Sequence, residues 1–304
     1  MDVHRLRLLR EFADRGSVGA VADAMRLTPS AVSQQLKILA REAGIELLEQ
    51  QGRGLRLTDA GRALVLRADE VIAAVDRAAE EMAARSRTTV GTVRLAMFPS
   101  AAALLLPDLL SATGSSGIEL VAADVDVPYP SAPDALADHD LVLTHRDERA
   151  PSITSPRVRS AVVMREPVDL VVPPDHRLAE RASVSLDDLD DEDWISVRGG
   201  FPVDDVLLSL ATVTGVAPRV IHRINDFAVI EAMVAAGHGI ALMSRHAVRH
   251  PQVHRLVLSG VRAARVYEIL HRPTALDRRV NASVLNALSA ACADFGAMTT
   301  QMVK

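Results

Sequence analysis

Ser30, Ser33, Gln34 and Lys37 stand at i, i+3, i+4 and i+7, a spacing that puts all four on one face of a single helix. Two hydroxyls, an amide and one ammonium along such a stripe form a set that meets base edges in a major groove and leaves the cation for phosphate. The opposite stripe, Val32, Leu36, Leu39 and Ala43, is apolar at spacings of 4, 3 and 4 and must be buried. Thr28 and Pro29 supply the helix start, a hydroxyl cap followed by proline at the first helical position. Further on, Arg53 lies between Gly52 and Gly54, and an arginine held out on a tight glycine turn reaches a minor groove or a phosphate. A solvated surface helix uses the same residue types, so the surrounding elements must decide.

Other clusters carry weaker chemistry. His246 and His250 fall at i, i+4, but Pro251 interrupts the expected helix before His254 and no carboxylate is adjacent, so no metal site is expected. The acidic run from Asp187 to Asp193 lacks the glycine-punctuated spacing of a calcium loop and reads as a capped, solvated connection. Gly237-His238-Gly239 lacks the third glycine of a dinucleotide fingerprint and leads into a strand. A Walker loop and a G-x-S-x-G elbow are also missing, which weakens an enzyme reading, and no cofactor is expected. Cys292, the one cysteine, has no internal disulfide partner and reads as a small apolar residue of the last helix.

The elements that must hold these residues follow from periodicity. Val3, Leu6, Leu9 and Ala13 predict a first helix closed by Gly16, and Ser17 caps a second through Val18–Met25. Arg26-Leu27 then turn into the helix that starts at Thr28-Pro29, which completes a helix-turn-helix outline. Leu47 to Thr58 reads as a β-hairpin wing with Arg53 at its tip. From Thr58 to about Arg87 a long helix is expected, with Leu64, Ala68, Val71, Val75, Ala78 and Met82 in a heptad seam that needs a partner. Two-fold pairing of that seam would hold two recognition helices about 34 Å apart, the spacing of successive major grooves.

Beyond Val90 the period alternates between strand and helix. Strands are expected at Thr92–Met97, Glu119–Val125, Leu141–Thr144, Ala161–Arg165, Asp169–Pro173, Trp194–Val197, Arg219–Ile224, Ile240–Met243 and Val266–His271. Helices are expected at Leu104–Leu110, Ser131–Ala137, Val203–Thr214, Phe227–Ala236 and from Leu276 onward. That alternation predicts an α/β domain with a largely parallel sheet, whose ligands sit beyond the carboxyl ends of the strands.

At 304 residues, 49% hydrophobic and 24% charged, the chain has room for two or three folded domains. No run of about 18 apolar residues and no apolar signal core after the opening Met1 are present, so a cytoplasmic protein without a membrane partner is expected. The net charge of −5 argues against a polyanion partner for the whole chain. Residues 1–65, however, hold ten Lys/Arg against eight Asp/Glu, so the N-terminal part alone is suited to phosphate.

The stretch Ser17 to Lys37, the hairpin, the Leu57-Thr58-Asp59-Ala60-Gly61 junction and the later Val234 to Leu242 segment together resemble the LysR-type transcriptional regulators. The resemblance spans essentially the chain. It implies an N-terminal winged helix-turn-helix over 1–60, a linker and dimerisation helix over 61–88, and a two-subdomain α/β effector domain over 89–304 like a periplasmic binding protein. Its first subdomain would take about 89–162 and 266–304, its second about 163–265. The resemblance implies DNA contacts by Thr28, Pro29, Ser30, Ser33, Gln34, Lys37 and Arg53. Family members often have arginine where this chain has Gln34, which implies a weaker phosphate contribution and a different base preference. It further implies an effector cleft approached by Ser100, Ala101, Thr144, His145, Arg198, Gly200, Phe201, Asn225 and Met243. A serine at a helix start and an arginine clamp suit a carboxylate effector. Promoter DNA, a small-molecule effector, RNA polymerase and assembly to a homodimer or homotetramer are the implied partners. Two other readings stay open: an α/β binding or catalytic module whose N-terminal helices bind no specific DNA, and a nucleoid-type binder with little sequence preference.

Overall fold

The computed structural model describes residues 1–85, 91–189, 191–215, 217–260 and 263–301. Asp190, inside the acidic run, and the expected last turn of the linker helix at 86–88 lie outside the described residues. The first three helices are α1 (Val3–Arg15), α2 (Val18–Met25) and α3 (Pro29–Ala43). The second and third start on the side-chain caps that their sequences predict. The Ser17 hydroxyl accepts from the Ala20 amide at 3.2 Å, and the Thr28 hydroxyl accepts from the Ala31 amide at 3.2 Å. Arg26, left-handed at φ 54°, makes the turn between α2 and α3, where a glycine would be the usual choice. Val32, Leu36 and Leu39 of α3 are buried against Leu9, Phe12 and Val21, so the apolar stripe read from the sequence is the inner face.

The wing follows as β1 (Leu48–Gln51) and β2 (Gly54–Leu57), antiparallel with Glu49 opposite Arg56. The linker helix α4 runs over Asp59–Arg85. Its first turn is tied to the wing: the Thr58 hydroxyl accepts from the Gly61 amide and donates to the Glu46 carbonyl. A Cβ on Gly61 would lie 2.1 Å from the Leu47 carbonyl oxygen, so only glycine lets α4 cross the wing this closely. Along the expected seam Val71, Val75, Ala78 and Met82 are exposed and Leu64 is half-buried. Ala68 departs from the expectation. It is fully buried in the core of its own winged helix, because α4 packs on α1 there.

The remaining strands form one ten-stranded mixed sheet with a main path of β4-β3-β5-β12-β6-β10-β8-β9. They are β3 (Gly91–Met97), β4 (Ile118–Asp124), β5 (Leu141–Asp147), β6 (Arg159–Val172), β7 (Ser183–Val184), β8 (Asp193–Ser196), β9 (Arg219–Arg223), β10 (Ile240–Ser244), β11 (His254–Leu258) and β12 (Ala264–His271). The helices α5 (Pro99–Gly114), α6 (Pro202–Thr214), α7 (Phe227–Ala235) and α8 (Arg279–Gln301) cover its faces. The sequence predicts a largely parallel sheet, but only its two ends and the short β7–β11 pair are parallel. The centre is not, because β12 is antiparallel to β5 and β6, and β6 to β10 and β11. The strands predicted at 161–165 and 169–173 are one strand, β6. Pro167, with no N–H to give, marks where β6 leaves β12 and takes up β10. Strands β7 and β11 are additions to the predicted set; β7, with two residues, is too short to carry an alternation in sequence. The segment predicted as a helix carrying His246 and His250 is a single 3₁₀ turn, Arg245–Ala247. The segment 131–137 is likewise 3₁₀, within Tyr129–Ala137, since prolines at 130 and 133 deny it an α ladder.

Two apolar cores flank the crossing. One gathers Val93, Leu95, Leu105, Ile269 and Val284, the other Leu170, Trp194, Val206, Ile230 and Leu242. The winged helix is docked on the first of these halves through charge. Arg157 pairs with Asp14 at 2.7 Å and with Asp69 at 3.1 Å, Arg272 pairs with Asp14 at 2.5 Å, and Arg15 pairs with Asp138 at 2.5 Å.

Candidate nucleic-acid interface and ligand cleft

The outer face of α3 is laid out as its sequence spacing requires. Ser30, Gln34 and Lys37 are exposed and Ser33 is half-buried, with Thr28 and Pro29 exposed at the helix start. The Thr28 and Ser30 hydroxyls lie 3.0 Å apart, so one is oriented by the other, while the Gln34 amide, the Lys37 ammonium and the Arg53 guanidinium are bonded to no other side chain among the described residues. Arg53 is exposed in the turn between β1 and β2, beside Gly52 at φ 58°. Ser33, Lys37 and Arg53 line one groove between α3 and the wing, so helix and hairpin tip face the same side. Unpaired donors on a protruding helix and an adjacent hairpin match a duplex, which presents acceptors in a groove and phosphates along its edges.

The second site is a cleft of about 610 Å³ at the crossing of the sheet. Its floor is built on Arg265, the second residue of β12, which is 1% exposed. Arg265 donates through Nε to Glu166 at 2.7 Å, through Nη2 to the Tyr267 hydroxyl at 2.7 Å and the Ser100 hydroxyl at 3.0 Å, and through Nη1 to His145 Nδ1 at 3.3 Å. Tyr267 in turn donates to Glu166 at 2.7 Å. The ring of Phe98 stacks on His145 at 4.0 Å and lies under the Arg265 guanidinium.

This network fixes protons. A guanidinium only donates, so His145 Nδ1 must accept, and the ring's proton sits on Nε2. Burial and the neighbouring Arg265 charge push the His145 pKa well below 6.5, so the ring is neutral and offers an N–H. Burial likewise drives the Tyr267 hydroxyl upward, so it keeps its proton. Ser100 accepts from Arg265 and retains its own O–H for a ligand.

Three helices start at this cleft, and they differ. α7 is capped by Asp226, which accepts from the Ala228 amide at 2.8 Å, and α6 carries Asp204 and Asp205 in its first turn. α5 has neither a side-chain cap nor an acid in its first turn; Pro99 carries no N–H and the Ala101 and Ala102 amides bond the Phe98 carbonyl, so the Ser100 amide and the positive helix end are what it offers. Phe201, Val203 and Phe227 make apolar walls.

Of the residues expected at the cleft, Ser100, His145, Phe201 and Asn225 line it. Ala101 and Met243 do not, since both are fully buried in the two cores. Thr144 neighbours His145 on β5, and strand alternation sends it to the other face. Arg198 and Gly200 lie outside the lining. The Arg198 guanidinium pairs with Asp126 at 3.0 Å and lies over Phe201, and its amide donates to Asn225 at 2.8 Å, so it acts as a rim contact across the cleft. Sequence reasoning does not find Arg265, Glu166, Tyr267, Phe98 or Phe227. Arg265 and Ser100 are 165 residues apart, and no local spacing connects them. An apolar strand with an arginine at its start is the one available signal.

Comparison with known proteins agrees with this division. Residues 3–62 match the model of the LysR-family bacterial regulatory helix-turn-helix, and residues 86–293 match the LysR substrate-binding domain. The chain is 31% identical over 265 residues to the transcriptional regulator CbbR of Rhodospirillum rubrum, covering 85% of each chain. It is 26% identical over 243 residues to the transcriptional dual regulator GltC of Bacillus subtilis, covering 80% of each. A cysteine-to-aspartate variant of OxyR from Pseudomonas aeruginosa, solved at full length, has the same fold, with a TM-score of 0.68 at 18% identity over 96% of this chain and 94% of that one. Full-length CbnR in complex with its target DNA superposes with a TM-score of 0.53 at 20% identity, over 95% and 100%. No helix among the described residues is long and apolar enough to cross a membrane. The chain belongs to the LysR family of transcriptional regulators, which are not enzymes: a helix-turn-helix binds DNA and a substrate-binding domain takes a small-molecule effector.

Proposed function

We propose that α3 reads promoter DNA through Ser30, Ser33, Gln34 and Lys37, with Thr28 and Pro29 setting its entry and Arg53 engaging the backbone or minor groove. The exposed part of the α4 seam, Val71, Val75, Ala78 and Met82, pairs with a second copy to set the two helices one turn of duplex apart. Pairing of dimers into a tetramer and contact with RNA polymerase complete the proposed assembly, acting in the cytoplasm. The divisions at residues 60, 88, 162 and 265 describe its working parts.

The effector is a carboxylate with an apolar body. One observation carries this: at the start of α5, the Ser100 amide and O–H lie at the cleft beside the His145 ring, with Arg265 behind them. Arg265 is neutralised by Glu166, so the anion is held by hydrogen bonds and the helix end rather than by a bare charge. Effector binding between the halves shifts their population toward a closed form and alters how paired dimers bend DNA. Gel shift with the gene's own upstream region against random duplex tests the DNA half, and equal affinity for the two would refute it. Calorimetry with a panel of organic acids tests the other half: Ser100→Ala is expected to weaken the acid that binds by about tenfold, the loss of one charge-assisted hydrogen bond.

A further inference from the structure

The cleft carries more negative charge than a plain carboxylate effector suits. Four carboxylates line it, Asp124, Asp126, Asp226 and Glu231, against two guanidinium groups, Arg249 and Arg265. Partners just outside the lining leave that excess unchanged, since Glu166 pairs with Arg265 and Arg198 pairs with Asp126. His145 and His246 do not offset it, because burial lowers both pKa values and keeps the rings neutral. Three of the four acids are accounted for: Asp124 is exposed to water, Asp126 holds Arg198, and Asp226 caps α7. Glu231 is not. It is 6% exposed, and its Oε1 accepts from the Arg249 amide at 2.5 Å and the His250 amide at 2.9 Å. Its Oε2 accepts no hydrogen bond among the described residues and is not sealed from solvent. Arg249 is exposed, and no ion pair among the described residues joins its guanidinium to Glu231. The way from Glu231 to the start of α5 is apolar. Phe227, four residues earlier and so on the same face of α7, has its ring centre 5.7 Å from the Arg265 guanidinium, which donates to Ser100.

We infer that the effector is an amino acid whose carboxylate meets Ser100 at the start of α5 and whose ammonium meets Glu231 Oε2, with an apolar chain along Phe227 between them. The inference rests on the carboxylate reading above and narrows it from organic acids to zwitterions. A buried carboxylate with an open oxygen is costly, and a cation bound there removes the cost. An ammonium makes that bond charge-assisted. It also brings the ligand's net charge to zero, which a cleft with an excess of carboxylates accepts more readily than a bare anion. The two charges of the ligand would then be read from opposite sides, one by α5 and one by α7.

The probes are 4-aminobutanoate, 6-aminohexanoate and 8-aminooctanoate, each compared by calorimetry on the full chain with its parent acid, butanoate, hexanoate or octanoate. The best amino acid is expected to bind at least about tenfold more tightly than its parent acid. Glu231→Gln keeps an acceptor for the two amides and removes the charge, so the preference should disappear there while the parent acid binds at least as well as before. Ser100→Ala should weaken amino acid and parent acid alike. Equal binding of every amino acid and its parent acid, or a preference that Glu231→Gln leaves intact, would overturn the inference and leave the carboxylate reading standing. Failure of all six compounds to bind would overturn both. If Glu231→Gln fails to fold, cross-relaxation between the methylene beside the ammonium and the Ala228 methyl takes its place, since Ala228 lines the cleft three residues before Glu231. Its absence overturns the inference equally.

Discussion

The outer face of α3, proposed above to meet DNA, and the floor of the cleft use polar groups in opposite ways. On α3, Gln34, Lys37 and the nearby Arg53 are exposed and have no side-chain partner among the described residues, which would leave them free to adapt to a duplex. At the cleft, Arg265 directs donors to four side chains and, with Glu166, is 1% exposed. A large, repetitive partner tolerates mobile contacts, whereas a small ligand needs donors already aimed, since it has little surface to offset their ordering. The difference also predicts where substitutions act: binding alone on α3, folding first at the cleft.

The largest effect is therefore expected at Glu166. Glu166→Ala leaves the Arg265 charge buried without its carboxylate and should cost about 3–5 kcal/mol of stability in urea unfolding, while DNA affinity of the folded fraction is unchanged. Replacing both partners, Glu166→Leu with Arg265→Met, should recover most of that loss, because the cost lies in the unpaired charge. If the single variant is as stable as the parent, the floor is wetter than its burial indicates, and the contrast with α3 breaks.

On the recognition helix the expected loss is smaller and falls on specificity. Gln34→Ala should remove about 1–3 kcal/mol of discrimination between target and random duplex without shifting the unfolding midpoint. Lys37→Ala should weaken both duplexes alike and reduce the salt dependence by about one counterion. A Gln34 variant that weakened both duplexes equally would assign that amide to phosphate.

These two regions are not equally legible in the sequence. The helix-turn-helix is written in spacings of three and four, with Ser17 and Thr28 as caps and Gly61 where α4 meets the wing, so local pattern alone locates its elements. Along the proposed seam, Val71, Val75 and Met82 are exposed, but periodicity cannot show that Ala68 is taken up by the chain's own core. At the cleft, the family resemblance leads to Ser100, His145, Phe201 and Asn225, and the choice among neighbours fails where facing decides, as at Thr144 and Met243. Arg198, which the resemblance implies at the cleft, pairs with Asp126 at the rim. The group on the floor is Arg265, brought in by a strand pairing that no short-range signal encodes.

The burial of the floor also gives it a pH response. The His145 pKa is held well below 6.5 by burial and by Arg265, so below about pH 6.5 the unfolded chain takes up a proton that the folded chain refuses. Stability is then fully present above that pH and falls as pH drops, by up to about 1.4 kcal/mol per pH unit for this one group. The His246 pKa is lowered in the same direction, chiefly by burial, and adds to the slope. Urea midpoints at pH 7.5 and 5.5 should therefore diverge more for the parent chain than for His145→Gln. Equal divergence would mean that the ring is protonated in place and that the floor admits a second cation.

The smallest effect supplies the control for the largest. Glu49 and Arg56 face each other across the wing at 2.7 Å, the same N···O distance as Arg265 to Glu166, but both are about half exposed. Water already solvates each charge, so the pair gains little on forming and leaves little behind when one member is removed. A double-mutant cycle of Glu49→Ala and Arg56→Ala should give a coupling of about 0.2–1 kcal/mol that falls further at high salt. Distance and charge type match those of the buried pair, so an excess measured at Glu166 reports burial together with the hydrogen bonds that Glu166 also accepts from Tyr267 and the His246 amide. A wing coupling as large as the one at the cleft would show instead that close geometry, and not burial, sets the strength of both pairs.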